Sequence, residues 1–326
     1  MIDVVFYCYM VNDWEERVEK QIKRLVSSGL YQSADNIYLF VTDTTNEQKD
    51  KIELLIKELP KINLDYTNTN YGEAFKALSK ISEISKDPNH KILYFHTKGV
   101  YNKYKNFETK EIDDLKLRGV ECWVEMMEHF LIDNWKDCVD KLENNDIVGV
   151  TNHGGWWWGN FWWTRSSFVN TITPFDKHYN GSRWSAESWL HDANPNKENN
   201  KIHELNKFCY DPHYSVLPKY FYDKTVNLEE LKIEVIQAEY GFFAEQRDEG
   251  RSLSTVNKHT LDVTENAKKE AEINGINMIP QHIVNNLEDL APGLDKQVRI
   301  KFKTNIDPEN EYIITSIHFW RISVAS

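Results

Sequence analysis

The sequence predicts an α/β domain with a largely parallel sheet, followed by a small β-rich, sandwich-like domain. In the first hundred residues, apolar, β-branched or aromatic runs recur at 2–9, 36–41, 62–66 and 92–95, with helix-like segments between them. After about residue 217 the texture changes. Short alternating runs such as KIEVIQAEYG, KQVRIKFKT and EYIITSIHFW, with Gly and Pro punctuation, replace the helical patterns. The expected boundaries are 1–217 for the first domain, 218–230 for a linker and 231–326 for the second.

The elements follow in order. Residues 2–9 (IDVVFYCY) read as a buried first strand. Segment 13–26 places Trp14, Val18, Ile22 and Leu25 on one helical face; segment 47–59 does the same with Ile52, Leu55, Ile56 and Leu59, and segment 71–84 with Phe75, Leu78 and Ile81. Alternation of strands and helices implies right-handed crossovers and a ligand site at the carboxyl ends of the strands. KILYFHTKGV, residues 91–100, is a strand that runs into His96, Thr97, Lys98 and Gly99 at such an end. A helix over 111–131 carries Leu117, Val120, Val124, Met127 and Leu131 as a core-packing stripe. DIVGV, residues 146–150, reads as another strand and opens onto TNHGGWWWGNFWWTR.

Composition limits the function. A net charge of −12 on 326 residues argues against a broad nucleic-acid-binding surface, while leaving room for a local basic cleft that holds a phosphate-bearing small molecule. Cys8, Cys122, Cys138 and Cys209 lie far apart with no CxxC spacing, the pattern of reduced thiols, so a cytoplasmic setting is expected. MIDVVFYCYM lacks a basic region before its apolar run and reads as a strand, not a signal peptide. No apolar stretch approaches bilayer-spanning length.

Nine of the eleven tryptophans fall between Trp123 and Trp189. Trp156, Trp157 and Trp158 are consecutive and cannot all point inward from one face, so at least one is expected to be exposed on a loop lined by Gly154, Gly155 and Gly159. Such a ring can stack on a sugar or a base, the alternative being plain packing or a subunit interface. Glu187 lies in SAESWL, where Ser185 is expected to cap a helix anchored by Trp189 and Leu190, leaving Glu187 in the first turn. It would serve there as a general base or only as a favourable charge at a helix start. Thr42 and Asp43 end the second strand, and Asn70 ends the third segment within TNTNYGEAF. With His96, Thr97 and Lys98 they place polar groups at three consecutive strand ends, an arrangement suited to an anionic diphosphate.

The order of these features resembles the GT-A glycosyltransferases, whose domain is a Rossmann-like sheet. The matches are Asp43 at a strand end, NYGEAFKAL as an N-x-G-x-x-x-A motif, the strand ending in HTKG where the family carries Asp-x-Asp, and the Gly/Trp-rich stretch GNFWW followed by AESW. HTKG with GNFWW and E-x-W is similar, more narrowly, to glycosyltransferase-like proteins of bacteria and large viruses, over about residues 1–217. The resemblance implies an inverting transfer of a hexosyl or deoxyhexosyl group from a nucleotide sugar to a glycan or polymer-precursor hydroxyl. Asp43 would meet the donor base, and Asn70 would support the nucleotide. His96, Thr97 and Lys98 would face the diphosphate; Gly155, Trp156, Trp158 and Asn160 would line the sugar and acceptor pocket; Glu187 would be the base. The family's carboxylates hold a divalent cation, Mn or Mg, whereas lysine repels one. The departure implies donor binding that does not require metal, with His96 and His213 as the other candidate ligands. A catalytically inactive glycan-binding protein using the Trp-rich loop is the alternative.

The C-terminal motifs AEYG, LDVTENAK and APGLDKQVRIKF look similar to a small β-rich domain attached to several enzymes and to some DnaJ-type co-chaperones. That resemblance implies a stability, assembly or carbohydrate-presenting role.

Overall fold

The expected run of strands and helices is present in the computed structural model, which describes residues 1–68, 74–98, 114–206, 212–223, 230–242, 259–274 and 297–315. In chain order the first half forms β1 (Ile2–Tyr9), α1 (Trp14–Ser27), α2 (Leu30–Ser33), β2 (Asn36–Thr42), α3 (Lys49–Ile56), β3 (Ile62–Thr67), α4 (Phe75–Ile84) and β4 (Lys91–His96). Then come α5 (Asp114–Glu128), a π-helical turn His129–Asp133, α6 (Trp135–Lys141), β5 (Ile147–Gly149), β6 (Asn152–His153), β7 (Trp156–Trp157), a 3₁₀ turn Trp158–Asn160 and β8 (Trp162–Arg165). The short helices α7 (Ser166–Val169) and α8 (Phe175–His178) lead to α9 (Arg183–Asp192) and β9 (Ile202–Glu204).

Seven of these strands form one sheet in the order β3-β2-β1-β4-β8-β5-β9. β1 to β4 run parallel, with Val4 beside both Ile37 and Leu93, so their carboxyl ends share one rim. β8 is antiparallel to β4 and β5, and β9 returns parallel to β5. Near-continuous burial of β1 follows from cover on both faces. Val5 and Tyr7 pack into a core with Leu78, Ile81, Tyr94, Trp162 and Trp189, while Phe6, on the opposite face by strand alternation, stacks on Phe95 at 4.4 Å.

After β9 the described elements are α10 (Tyr220–Asp223), β10 (Ile233–Phe242), β11 (His259–Asp262), α11 (Thr264–Asn274), β12 (Gln297–Thr304) and β13 (Tyr312–Thr315). Their strands make a separate antiparallel sheet of four, in the order β11-β10-β12-β13. Val235, Ala238, Tyr240, Val298, Ile300 and Phe302 form its core with Val263 and with Ala267 of α11. Among the described residues this is one sheet with a helix upon it.

Packing divides the chain into two compact units, Met1–Lys103 with Met127–Lys207 and Tyr104–Met126 with Phe208–Ser326; α5 crosses from one to the other. The second unit takes in residues upstream of the linker drawn at 218–230. Val216 exchanges two backbone hydrogen bonds with Ile313, and Thr315 Oγ1 donates to Tyr214 O at 2.7 Å. Within 218–230, Phe221 of α10 packs on Phe302. A boundary read from local texture follows the change of pattern, and pairing with a strand 100 residues away leaves no local mark. Among the described residues, no helix is long and apolar enough to cross a membrane.

Candidate active site

The polar groups of the rim fall into two sets. At the end of β2, Asp43 is fully buried, and five donors converge on its carboxylate: Thr45 N–H and Oγ1–H, Glu47 N–H, Gln48 N–H and Tyr66 O–H, at 2.5–2.9 Å. Burial opposes ionisation, but the bonds from Thr45, Tyr66 and Gln48 outweigh it and bring the carboxyl down to about 2. The partner phenol moves the other way: burial, then the bond to Asp43, push Tyr66 up to about 12. Both carboxylate oxygens already accept bonds, four from the turn that starts α3 and one from Tyr66 of β3. Thr97 is also buried; its Oγ1 accepts from Tyr9 N–H at 3.1 Å, stitching β4 to β1.

His96 and Lys98 form the second set. Both are half-buried at the end of β4. His96 Nε2 donates to the carbonyl of Gly159 at 3.0 Å, which ties the strand end to the turn Trp158–Asn160. The Lys98 stem passes the same turn: the place a Cβ would take on Gly159 is 3.5 Å from Lys98 Cδ. Gly159 and Asn160 are both left-handed, φ 80° and 55°, which glycine adopts freely and asparagine tolerates. Asn160 is buried, and its Oδ1 accepts from Trp162 Nε1 at 2.9 Å, so this side chain braces the turn.

Behind His96 lies a polar network that reading the sequence for stripes misses. Gln21 Nε2 donates to Glu128 Oε1 at 2.8 Å and to His96 O at 3.3 Å, while Arg24 binds Glu128 at 3.1 Å and Asp133 at 2.6 Å. Burial pushes the Glu128 carboxyl up, and Arg24 and Gln21 counter it. At Asp133 burial is outweighed by bonds from His129 and Arg24, which hold that carboxyl at about 2. The available signal was positional: Gln21 falls on the face of Val18 and Leu25, and Glu128 is one turn beyond Val124.

The Trp-rich stretch is a hairpin followed by a tight turn. Asn152 and His153 pair with Trp157 and Trp156, and the connecting Gly154 and Gly155, φ 60° and 96°, make a two-residue turn of the kind that needs left-handed backbone. Trp157 is buried, whereas Trp156 and Trp158 are half-buried. The hairpin lies along α9. Gly155 sits so close to the His191 ring that a Cβ there would come within 2.1 Å of it, and the indoles of Trp156 and Trp184 are 5.5 Å apart. Trp184, Glu187 and His191 are spaced three and four residues apart, so Glu187 shares the helix face that meets the hairpin.

Trp189 and Leu190 anchor α9 in the core as expected. The cap differs: Ser182 precedes the helix and its Oγ accepts from Trp184 N–H at 3.2 Å, while Ser185 Oγ donates to Ser182 O at 2.6 Å. Glu187 is therefore the fifth residue of the helix, beyond its first turn. The charge of a helix start weakens beyond that turn. SAES and GSRWSAES offer two serines with equal local credentials, and the turn at Gly181, φ 86°, favours the earlier one.

His96 lies in the first unit and His213 in the second, where His213 packs edge-on against Trp123 at 4.9 Å. Among the described residues, no group of three His, Cys, Asp or Glu side chains could hold a metal ion. At the end of β4 the described donors are an imidazole whose Nε2 is engaged, a buried hydroxyl and an ammonium, which do not fit a hard divalent cation. Asn70 lies outside the described residues. A groove of about 390 Å³ over α4 and the β2–β3 edge, lined by Tyr38, Phe40, Asp65, Phe75 and Lys76 among others, contains none of the expected site residues. The rim and the α9 hairpin thus meet through one turn, and a search with the sequence finds no matching family model and no matching curated protein.

Proposed function

We propose that the chain is a nucleotide-sugar-dependent glycosyltransferase of the GT-A type. What supports this reading is the meeting, through residues 156–159, of a cationic strand end with a carboxylate-bearing helix face: His96 binds Gly159 O at 3.0 Å, and the adjoining hairpin lies on the face of α9 that carries Glu187. In the proposed reaction the donor diphosphate lies against Lys98. Glu187 takes the proton of an acceptor hydroxyl whose oxygen attacks the anomeric carbon. The bond from that carbon to the diphosphate oxygen breaks, and the nucleoside diphosphate leaves with the electron pair, with inversion. Lys98 stabilises the charge that develops on the leaving group. Asp43, Thr97 and Asn160 hold the frame and take no part in binding.

Titration calorimetry with UDP-, GDP-, CMP- and dTDP-linked sugars, each with and without Mn²⁺ or Mg²⁺, tests the reading. Binding of one nucleotide class, weakened by Lys98→Ala, is the expected result. No nucleotide binding under any condition would sink it and leave the glycan-binding alternative.

A further inference from the structure

We propose that Trp184, beside Trp156, is a stacking platform for a saccharide, and that the acceptor of the transfer is therefore a sugar ring and not a lipid or protein hydroxyl. Only the role of acceptor depends on the transferase reading; saccharide binding at Trp184 stands on geometry of its own.

Trp184 is 57% exposed and is the one aromatic among the large exposed hydrophobic side chains of the described residues. Leaving so large a ring in water forgoes burial, at roughly 25 cal/mol per Å² of apolar surface. The ring nevertheless stands on an anchored stretch of helix and against a second indole. Its backbone N–H is bonded in the Ser182 cap, the following Ser185 and Ala186 are buried, and its indole tilts 47° to that of Trp156. An exposed indole backed by a second ring on a core-anchored helix has less conformational entropy to lose when a ligand covers it than a side chain on a loop.

The surroundings identify the ligand class. Glu187 stands one turn along the same face, and the next turn carries the His191–Asp192 pair, whose Nδ1 and Oδ1 are 2.9 Å apart. One aromatic face with a carboxylate one turn along does not make the continuous apolar patch that a protein or an acyl chain needs. A pyranose matches both features, because its axial C–H face is apolar and its edge hydroxyls donate to carboxylates.

Saturation-transfer NMR on the full chain, with methyl glycosides of glucose, galactose, mannose, N-acetylglucosamine and rhamnose and with a short-chain phosphatidylglycerol, tests the platform. Transfer to the axial ring protons of at least one glycoside is expected, with affinity reduced about tenfold by Trp184→Ala and less by Trp184→Phe. Unfolding midpoints of both variants show that the fold is intact. No glycoside signal, a signal only from the phospholipid, or glycoside affinity unchanged in Trp184→Ala would overturn the proposal. Nucleotide-sugar titration of the wild-type chain separates the two readings. Nucleotide binding without any glycoside signal removes the platform and leaves the transferase; a Trp184-dependent glycoside signal without nucleotide binding does the reverse.

Discussion

At the end of β2 the polar group is Asp43, buried and held by five donors from its own turn and the neighbouring strand. At the end of β4, three strands from the edge β3 on the same rim, it is the pair His96 and Lys98, half-buried and set against the Gly159 turn. In the sequence both look like polar residues closing an apolar strand. The difference is one of supply and demand for hydrogen bonds. The turn after β2 exposes backbone N–H groups that a buried carboxylate satisfies, so the residue completes the fold. The end of β4 is met by a backbone carbonyl from the turn before the neighbouring β8, which engages one imidazole nitrogen, and the Lys98 stem runs half-buried past the same turn.

The contrast can be broken or sharpened by substitution. Glu187→Gln should lower the transfer rate by roughly 10²–10⁴-fold, the usual contribution of a general base, with donor affinity nearly unchanged. Equal loss of rate and calorimetric donor affinity would make Glu187 a structural residue. Asp43→Ala should destabilise the fold by about 3 kcal/mol, because a half-buried tyrosine hydroxyl and four other donors lose their acceptor. Denaturant unfolding measures this; a near-neutral effect would reopen a ligand role for Asp43.

The same carboxylate predicts a pH dependence. Its folded value, about 2, lies below the unfolded value of about 3.9, so the folded state binds the proton less readily. The resulting stabilisation, about 2 kcal/mol, is fully present above about pH 4 and is lost as pH falls from about 4 to about 2. Asp43→Asn should flatten that part of the stability curve. An unchanged acid limb in the variant would assign the loss to other carboxylates, Asp133 first.

On the other half of the rim, Lys98→Ala should weaken nucleoside-diphosphate binding by about tenfold at low salt and by less as salt rises, the scale of one charge-assisted contact. Unchanged affinity in calorimetry would remove Lys98 from the donor site. Of similar size is the effect expected of Gly159→Ala, about 1–2 kcal/mol in thermal or chemical unfolding. It forces a side chain into φ 80°, while the nearest obstacle, the end of Met127, can move aside.

Much of the frame was legible because burial on two faces forces a strand to be apolar. IDVVFYCY could hardly be anything else, and the strand starts at 2, 36 and 62 match the structure to the residue. Helix faces were equally legible where apolar residues repeat at three and four, as in α1 and α4. The helix cap was misplaced because Ser182 and Ser185 both suit the position, and only the left-handed Gly181 before them discriminates. Nothing local marks Trp184 beside the conspicuous WWW, although it is Trp157 of that triplet that is buried and Trp184 that is exposed.

The sequence by itself determined the alternation of strands and helices, the parallel rim with its polar strand ends, and the change to an antiparallel β-rich unit. These depend on periodicities of two and 3.6 residues that any short window contains. Only the tertiary structure decided which groups each polar strand end meets: five donors around Asp43, and the Gly159 carbonyl at His96. It also decided that residues 214–216 bond to β13, and that a Gly-Gly turn brings the Trp hairpin onto the Glu187 face of α9. The reason is that hydrogen-bond satisfaction and burial belong to pairs of groups, and the partners here stand up to about a hundred residues apart along the chain.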